Sequence, residues 1–184
     1  GFWLDAAAAI EWDSVPTRGL DDTAAPLYRW FSDGVLNTSV NALDRHVASG
    51  RGDRVAVYYD SPVTDSHRAI TYAELLDEVA RFAGVLAGLG VGAGDRVLLY
   101  MPMIPEAVVA MLASARLGAV HSVVFGGFAP AELAVRIDDA RPTVVVSASC
   151  GIEGSRVIAY GPLLAEALEL ADHVPAAVVV KERP

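Results

Sequence analysis

Two hydrophobic patterns alternate along the chain from about residue 50 onward. Short runs rich in Val, Ile and Leu predict buried strands, and longer segments with apolar residues three and four apart predict helices. The predicted strands lie at about 54–59, 69–72, 96–101, 120–125, 143–148 and 176–181. The predicted helices lie at about 72–89, 105–117, 130–140 and 161–172.

This alternation predicts the fold class. Strands that are apolar throughout and alternate with helices are typical of a parallel sheet covered on both faces. The last four predicted strands follow this rule, whereas the first two are separated by the turn-rich segment DSPVTDSHR. We therefore expect a three-layer α/β unit with at least four parallel strands.

Polar and proline residues mark where the helices begin. Thr71 is followed three residues later by Glu74, which predicts a capping box. Pro105 and Pro130 suit the first position of a helix. Ala129 has no side-chain oxygen to cap the helix that starts at Pro130, so the N–H groups of its first turn are free to face an anion.

Residues 1–50 show no long period. Asn41 to Ser49 predicts one short amphipathic helix, and Trp3, Trp12 and Trp30 are scattered through the rest. Scattered aromatic residues usually anchor such a segment on a neighbouring domain, although a ligand-binding role for the tryptophans is the alternative. We expect residues 1–50 to form an irregular lead segment packed across the α/β unit of residues 51–184.

Composition and charge limit the classes of function. The net charge of −9 argues against nucleic acid and anionic membranes as partners. The longest apolar run, near residues 107–113, is too short to span a bilayer. The single cysteine, Cys150, favours a reducing compartment such as the cytoplasm. The first residues resemble no signal peptide and include no initiator Met, so we expect the true start to lie upstream.

Three loops follow the carboxyl ends of predicted strands, where ligands bind in open parallel sheets. The first, MPMIPE, is stiff because it contains two prolines, and we expect it to have a structural role. The second, Phe125 to Pro130 (FGGFAP), has two glycines that either let the backbone approach a ligand or simply form a turn. The third, Ser149 to Tyr160, contains Arg156, which either pairs with a phosphate or is a solvated loop residue.

Other reactive side chains show no catalytic or metal-binding spacing. Cys150 has no readable partner of the kind a nucleophile requires. Adjacent Asp138 and Asp139 point in different directions from a helix and form no acid–base pair. The histidines have no metal-ligand spacing with one another, with Cys150 or with carboxylates: His46, His67, His121 and His173. We predict no metal site and no catalytic residue in this chain.

Several segments closely resemble one family over essentially the whole chain. They are YRWFSDGVLNTSVNALDRHV, ITYAELLDEVARFAGVLAGLGVGAGDRVLLYMP, MIPEAVVAML, ARLGAVHSVVFGGFAP, RIDDARP and VVSASCGIE. Together they resemble the acetyl/propionyl-CoA synthetases, which are adenylate-forming acyl-CoA synthetases. VHSVVFGGF is typical of the short-chain branch, and RIDDA with YRWF favours its propionate-type members. The resemblance implies roughly the amino-terminal third of such an enzyme.

The resemblance implies an activity and its substrates. A short carboxylic acid attacks the α-phosphate of ATP, with Mg²⁺, to give an acyl-adenylate and diphosphate, and coenzyme A then displaces AMP. The family's Ser/Thr/Gly-rich phosphate loop, acid-pocket aromatic and late lysine have no counterpart in these residues. We therefore expect the remainder of the same polypeptide to supply the ATP and acid sites, the chain alone to be inactive, and a homo-oligomer to be an open possibility.

The resemblance also implies a coenzyme A site in two of the loops. Carried over by position, the site consists of Phe125, Gly126 and Gly127, which would line the adenine end, and Glu153, Gly154, Ser155 and Arg156. The second group occupies a loop that carries two arginines in acetyl-CoA synthetases. Only Arg156 matches, because Glu153 replaces the first arginine and reverses its charge.

Two other classes of protein share features with this sequence. A stand-alone, non-catalytic α/β binding or scaffold module predicts a polar surface wherever the rest of a synthetase would dock. A dinucleotide-binding oxidoreductase needs a glycine-rich turn after its first strand. In this chain the glycine-rich segment GVGAGDR comes before a strand and not after one. The sequence therefore argues against a dinucleotide-binding oxidoreductase. The sequence leaves the choice between acetate and propionate open.

Overall fold

The computed structural model describes residues 1–183. The strands are β1 (Leu20–Asp21), β2 (Arg29–Trp30), β3 (Val55–Ser61), β4 (Ser66–Thr71), β5 (Arg96–Met101), β6 (Val120–Phe125), β7 (Val144–Ala148), β8 (Cys150–Glu153), β9 (Arg156–Ala159) and β10 (Ala177–Lys181). The helices are α1 (Phe2–Ala7), α2 (Tyr72–Gly88), α3 (Pro105–Arg116), α4 (Pro130–Ala140) and α5 (Tyr160–Leu170). Two π-helical turns lie at Val40–Asp44 and Val47–Arg51.

A parallel sheet of four strands forms the centre, in the order β10, β7, β5, β6. Side chains alternate across it because successive residues of a strand face opposite sides. Val97 and Leu99 of β5 pack with α2 and α3, whereas Leu98 and Tyr100 pack with α4 and α5. The predicted three-layer α/β unit with four parallel strands is confirmed.

The helix starts follow the sequence signals. The Glu74 N–H donates to Thr71 Oγ1 at 3.2 Å, and the Thr71 N–H donates to Glu74 Oε2 at 2.8 Å. These two bonds are the predicted capping box of α2. α3 begins at Pro105 and α4 at Pro130, and Ala129 makes no side-chain cap.

The prediction that Ser149 to Tyr160 forms a loop is wrong, because most of this segment is strand. Residues 150–159 form an antiparallel hairpin in which β8 pairs with β9. Gly154 has φ +59° at the first position of the two-residue turn, where glycine is favoured. A Gly-Ser pair between two short apolar runs is a hairpin signal, but the further glycine and serine residues of this segment favour a loop and outweigh it.

Residues 1–50 are joined by polar bonds to the end of α3. Asn37 Nδ2 donates to the Arg116 carbonyl at 3.0 Å, and Arg116 Nη1 donates to both carboxylate oxygens of Asp44 at 2.8 and 2.9 Å. Trp3 and Trp30 pack on each other with ring centroids 5.2 Å apart. The helix predicted at residues 41–49 is present as parts of the two π-helical turns. No helix within residues 1–183 is long and apolar enough to cross a membrane.

Candidate functional site

A cleft of about 370 Å³ opens at the carboxyl ends of β5 and β6. One wall is the segment of residues 101–104, which leaves β5, and another is the end of β6 with Gly126. Residues 151–153 of β8 and residues 59–63 of the β3–β4 hairpin form the remaining walls. The cleft is therefore built from four separate parts of the chain around the end of the sheet.

The strand order explains why a cleft forms there. From β5 the chain enters α3 on one face of the sheet, whereas from β7 it continues through the β8–β9 hairpin into α5 on the other face. β5 and β7 are neighbours in the sheet. Connections that leave neighbouring strands toward opposite faces separate from each other and leave a crevice, which is the usual ligand site of such sheets.

The FGGF turn and the tip of the β8–β9 hairpin lie side by side at this cleft. Phe125 is 70% exposed and lines the cleft together with Gly126 and Glu153. Gly127 has φ +101°, and a methyl group added there would lie 3.6 Å from Glu153 Oε1. The structure thus brings together these residues of the two loops that the sequence selected.

The other selected residues lie farther out on the hairpin. Gly154, Ser155 and Arg156 are exposed and do not line the cleft. Arg156 faces Glu153 as its register partner in the hairpin. Among residues 1–183, Arg156 makes no ion pair within 4.0 Å, so its guanidinium is free at the exposed tip of the hairpin.

A tyrosine side chain occupies the floor between two glycines. Tyr160 begins α5, is 3% exposed and lines the cleft. A methyl group added at Gly151 would lie 2.8 Å from Tyr160 Cζ, and one added at Gly126 would lie 3.0 Å from the same atom. In both cases the added methyl group would also collide with the tyrosine hydroxyl. Both glycines are therefore required by the position of this ring.

A second buried tyrosine holds the FGGF turn. The Tyr100 ring lies against the Tyr160 ring, with centroids 4.8 Å apart, and its hydroxyl donates to the Phe128 carbonyl at 3.1 Å. Burial raises the pKa of both tyrosines above its usual value. Both hydroxyls consequently remain protonated near neutral pH.

The cleft also has an arginine that the sequence analysis missed. Arg183 lines the cleft, and its Nη1 donates to the Cys150 carbonyl at 3.0 Å. Its backbone N–H donates to Ser149 Oγ at 2.9 Å. Because Arg183 follows the carboxyl end of β10, the rule used for the other three loops would have found it. Tyr160 carried no comparable signal, since a buried aromatic residue at a helix start is ordinary core.

The charges in the cleft are mixed. Asp60 and Glu153 supply carboxylates, and Arg183 supplies a positive charge. Within the described residues no three His, Cys, Asp or Glu side chains converge as a metal site would require. The cleft thus offers an exposed aromatic face, glycine backbone and one arginine guanidinium group, which together suit an anionic ligand with a planar ring.

Comparisons with known families match nearly the whole chain. Residues 44–183 match the model described as AMP-binding enzyme, and residues 1–42 match the model described as acetyl-coenzyme A synthetase N-terminus. An uncharacterized protein of Pseudomonas aeruginosa is 57% identical over 183 residues, which is 100% of this chain and 29% of that protein.

Named relatives agree with these families. The mitochondrial acyl-CoA synthetase short-chain family member 3 of Mus musculus is 51% identical, over 100% of this chain and 27% of that protein. The acetyl-coenzyme A synthetase of Streptomyces avermitilis is 49% identical, over 98% of this chain and 28% of that protein. The chain therefore spans less than a third of the length of these relatives.

A solved structure has the same fold. The acetoacetyl-CoA synthetase from Streptomyces lividans superposes with a TM-score of 0.86 at 28% identity, over 98% of this chain and 30% of that chain. The resemblance to adenylate-forming acyl-CoA synthetases is confirmed by these matches. The chain belongs to the AMP-binding enzyme family and carries at its amino end the segment of the acetyl-coenzyme A synthetases.

Proposed function

We propose that this chain is the amino-terminal part of an AMP-forming, short-chain acyl-CoA synthetase that joins propionate or acetate to coenzyme A. The observation that carries the proposal is the cleft at the carboxyl ends of β5 and β6, which combines the FGGF turn, the hairpin tip and Arg183 in a chain of this family. The full reaction consumes ATP, releases diphosphate and AMP, and passes through an acyl-adenylate.

In this proposal the cleft receives coenzyme A. Phe125 offers an exposed ring for the adenine, and Gly126 and Gly127 let the backbone approach the nucleotide. Exposed Arg156 is the candidate phosphate contact, because its guanidinium can donate two parallel hydrogen bonds to phosphate oxygens. Glu153, Gly154 and Ser155 form the hairpin tip that carries it, and Glu153 opposes an anion.

ATP, Mg²⁺ and the acid bind elsewhere in this proposal. The phosphate loop and the late lysine of the family are absent from residues 1–184. Adenylation needs electrostatic stabilisation of the charge that develops on the phosphates, so those groups belong to the remainder of the polypeptide. We further propose that the protein works in a reducing compartment such as the cytoplasm and that propionate is its preferred acid.

Exposed apolar strands at both edges of the sheet support this proposal over a stand-alone module. In β6, Val120 and Val123 are exposed, and in β10, Val178 and Val180 are exposed. Exposed apolar edge strands invite pairing with other chains, and a soluble module normally protects them. A stand-alone scaffold would be expected to have a polar surface at these edges, whereas a synthetase would cover them.

The test is the reaction of the intact protein. We expect ATP-dependent formation of propionyl-CoA and acetyl-CoA, with one AMP and one diphosphate released per thioester and a higher kcat/KM for propionate. Product analysis by chromatography measures all three products. Release of ADP and phosphate, or no thioester with either acid, would contradict the proposed function.

The 184-residue chain by itself provides the internal control. Because it contains none of the family's ATP-binding motifs, we expect no exchange of labelled diphosphate into ATP with propionate or acetate. Exchange by the purified chain that depends on the acid would show that the adenylation site lies within these residues.

A further inference from the structure

We propose that Tyr160 is a ligand-binding residue of the cleft and that its hydroxyl hydrogen-bonds the adenosine end of coenzyme A. The proposal rests on the proposed function, because it takes coenzyme A as the ligand of the cleft. It adds a residue on the cleft floor that the sequence motifs do not contain.

The first argument is the hydroxyl's lack of a partner. Tyr160 is 3% exposed, yet its hydroxyl forms no hydrogen bond with any of residues 1–183, whereas that of neighbouring Tyr100 bonds the Phe128 carbonyl. Within the described residues, only Ser39 Oγ is a side-chain oxygen that is both fully enclosed and without a hydrogen-bond partner. The Tyr160 oxygen is not in that group, so it keeps some exposed surface. The Tyr160 oxygen is thus open to the cleft, which its residue lines.

The second argument is the cost of placing a hydroxyl there. Buried polar groups are nearly always hydrogen-bonded, and leaving one unpaired is unfavourable. A phenylalanine would pack against Tyr100 and fill the same space without that cost. Because the Tyr160 oxygen is open to the cleft, the partner that the hydroxyl requires comes from the cleft: water in the free protein, and a polar group of the ligand when the ligand is bound.

The third argument is the space made for the hydroxyl. Methyl groups at Gly126 or Gly151 would each collide with Tyr160 Oη. Glycine at both positions leaves the oxygen a place between the FGGF turn and the hairpin. The same methyl groups would lie 3.0 and 2.8 Å from Cζ of the ring, so the two glycines make room for the ring and its hydroxyl together, and the oxygen lies between two loops from different parts of the sequence.

The position of the hydroxyl selects the part of the ligand. It lies against Gly126, which directly follows Phe125, the exposed ring proposed to hold the adenine. Burial raises the pKa of Tyr160, so the group acts as a neutral donor and acceptor and not as a phenolate. Ring nitrogens and ribose hydroxyls of an adenosine are partners of matching chemistry.

The experiment removes only the oxygen. In the intact synthetase, Tyr160→Phe should raise the KM for coenzyme A and the inhibition constant of adenosine 3′,5′-bisphosphate about 3- to 10-fold, the range of one net hydrogen bond. Acid-dependent exchange of diphosphate into ATP should change less than about twofold, and the free energy of unfolding should stay the same or rise. Tyr58→Phe is the matched control, because Tyr58 is 80% exposed and lies outside the cleft.

Three results would overturn the inference. The first is an unchanged KM for coenzyme A and an unchanged inhibition constant in Tyr160→Phe. The second is a loss of stability without a change in either constant, which would assign the hydroxyl a protein partner. The third is an equal loss of the acid-dependent exchange. Failure of the unsubstituted protein to form any thioester would instead overturn the proposed function, so the two failures are distinguishable.

Discussion

At the scale of single residues, the missing side chains of two glycines shape the cleft. The three atoms nearest to a methyl group at Gly151 would all belong to Tyr160, namely Oη, Cε1 and Cζ, and all three would lie within 3 Å. Gly161 is the second residue of α5. It offers a contrast, because nothing lies within 4 Å of a methyl group added there. The same substitution at these positions should therefore have opposite consequences.

We expect Gly151→Ala to lower the free energy of unfolding of the chain by about 1–3 kcal/mol, the usual cost of overpacking a buried site. Gly161→Ala should be neutral or stabilising, because alanine favours the helix. Urea denaturation followed by circular dichroism measures both. Equal stability of the two variants would mean that Tyr160 does not occupy the space between the glycines.

A carboxylate in the lead segment makes a residue-scale prediction about pH. Asp33 accepts hydrogen bonds from the Thr17 hydroxyl at 2.6 Å and from the Thr17 N–H at 2.9 Å. These bonds lower the pKa of Asp33 to about 2. A lowered folded-state pKa gives stability that is fully present above the usual aspartate value and is lost as the pH falls toward 2.

We therefore expect Asp33→Asn to be less stable than the unsubstituted chain at pH 6 and to approach it in stability as the pH falls from about 4 toward 2. Unfolding in urea at a series of pH values gives the difference directly. A stability difference that stays constant from pH 6 to pH 2 would rule out the ionised, hydrogen-bonded Asp33.

At the scale of elements, periodicity located the core of the fold well. The helices α2, α3 and α4 begin at Tyr72, Pro105 and Pro130, as their capping and proline signals predicted. The β8–β9 hairpin was missed because its strands have four residues each, too few for a periodic signal to outweigh the glycines. Attachment of residues 1–50 through Arg116 was also not predictable, because it depends on residues more than seventy positions apart.

That attachment is testable with one substitution. Asp44→Ala should remove the two hydrogen bonds from Arg116 and weaken the hold on residues 1–50 by about 1 kcal/mol, the upper range for a partly exposed ion pair. Limited proteolysis should then cut residues 1–50 about fivefold faster. The matched control is Asp77→Ala, which removes an exposed pair with Arg81 on α2 and should not change the cleavage rate. Equal acceleration in both variants would contradict the attachment.

At the scale of the whole molecule, the sheet order determined where a site could form. The sequence predicted parallel strands, and the rule about their carboxyl ends selected the FGGF turn, which does line the cleft. The rule could not show which residues of the hairpin face inward, because that depends on the register of β8 with β9. Nor could it place Tyr160 in the cleft, because its ring lies between glycines of two loops.

The central claim is that this cleft serves the coenzyme A half of a two-step reaction, while adenylation takes place elsewhere in the polypeptide. The two half-reactions can be measured separately, as acid-dependent exchange of diphosphate into ATP and as thioester formation. Arg156 and Glu153 allow a test by charge, because they face each other at the hairpin tip with opposite signs.

The most direct measurement therefore follows both half-reactions in the intact protein, once with Arg156→Ala and once with Glu153→Arg. A charge-assisted bond to phosphate contributes roughly 1.5–3 kcal/mol. We predict that Arg156→Ala raises the KM for coenzyme A about tenfold or more, that Glu153→Arg lowers it, and that diphosphate exchange stays nearly unchanged in both. Equal slowing of exchange and thioester formation by Arg156→Ala, or no change in coenzyme A dependence with either substitution, would contradict the claim.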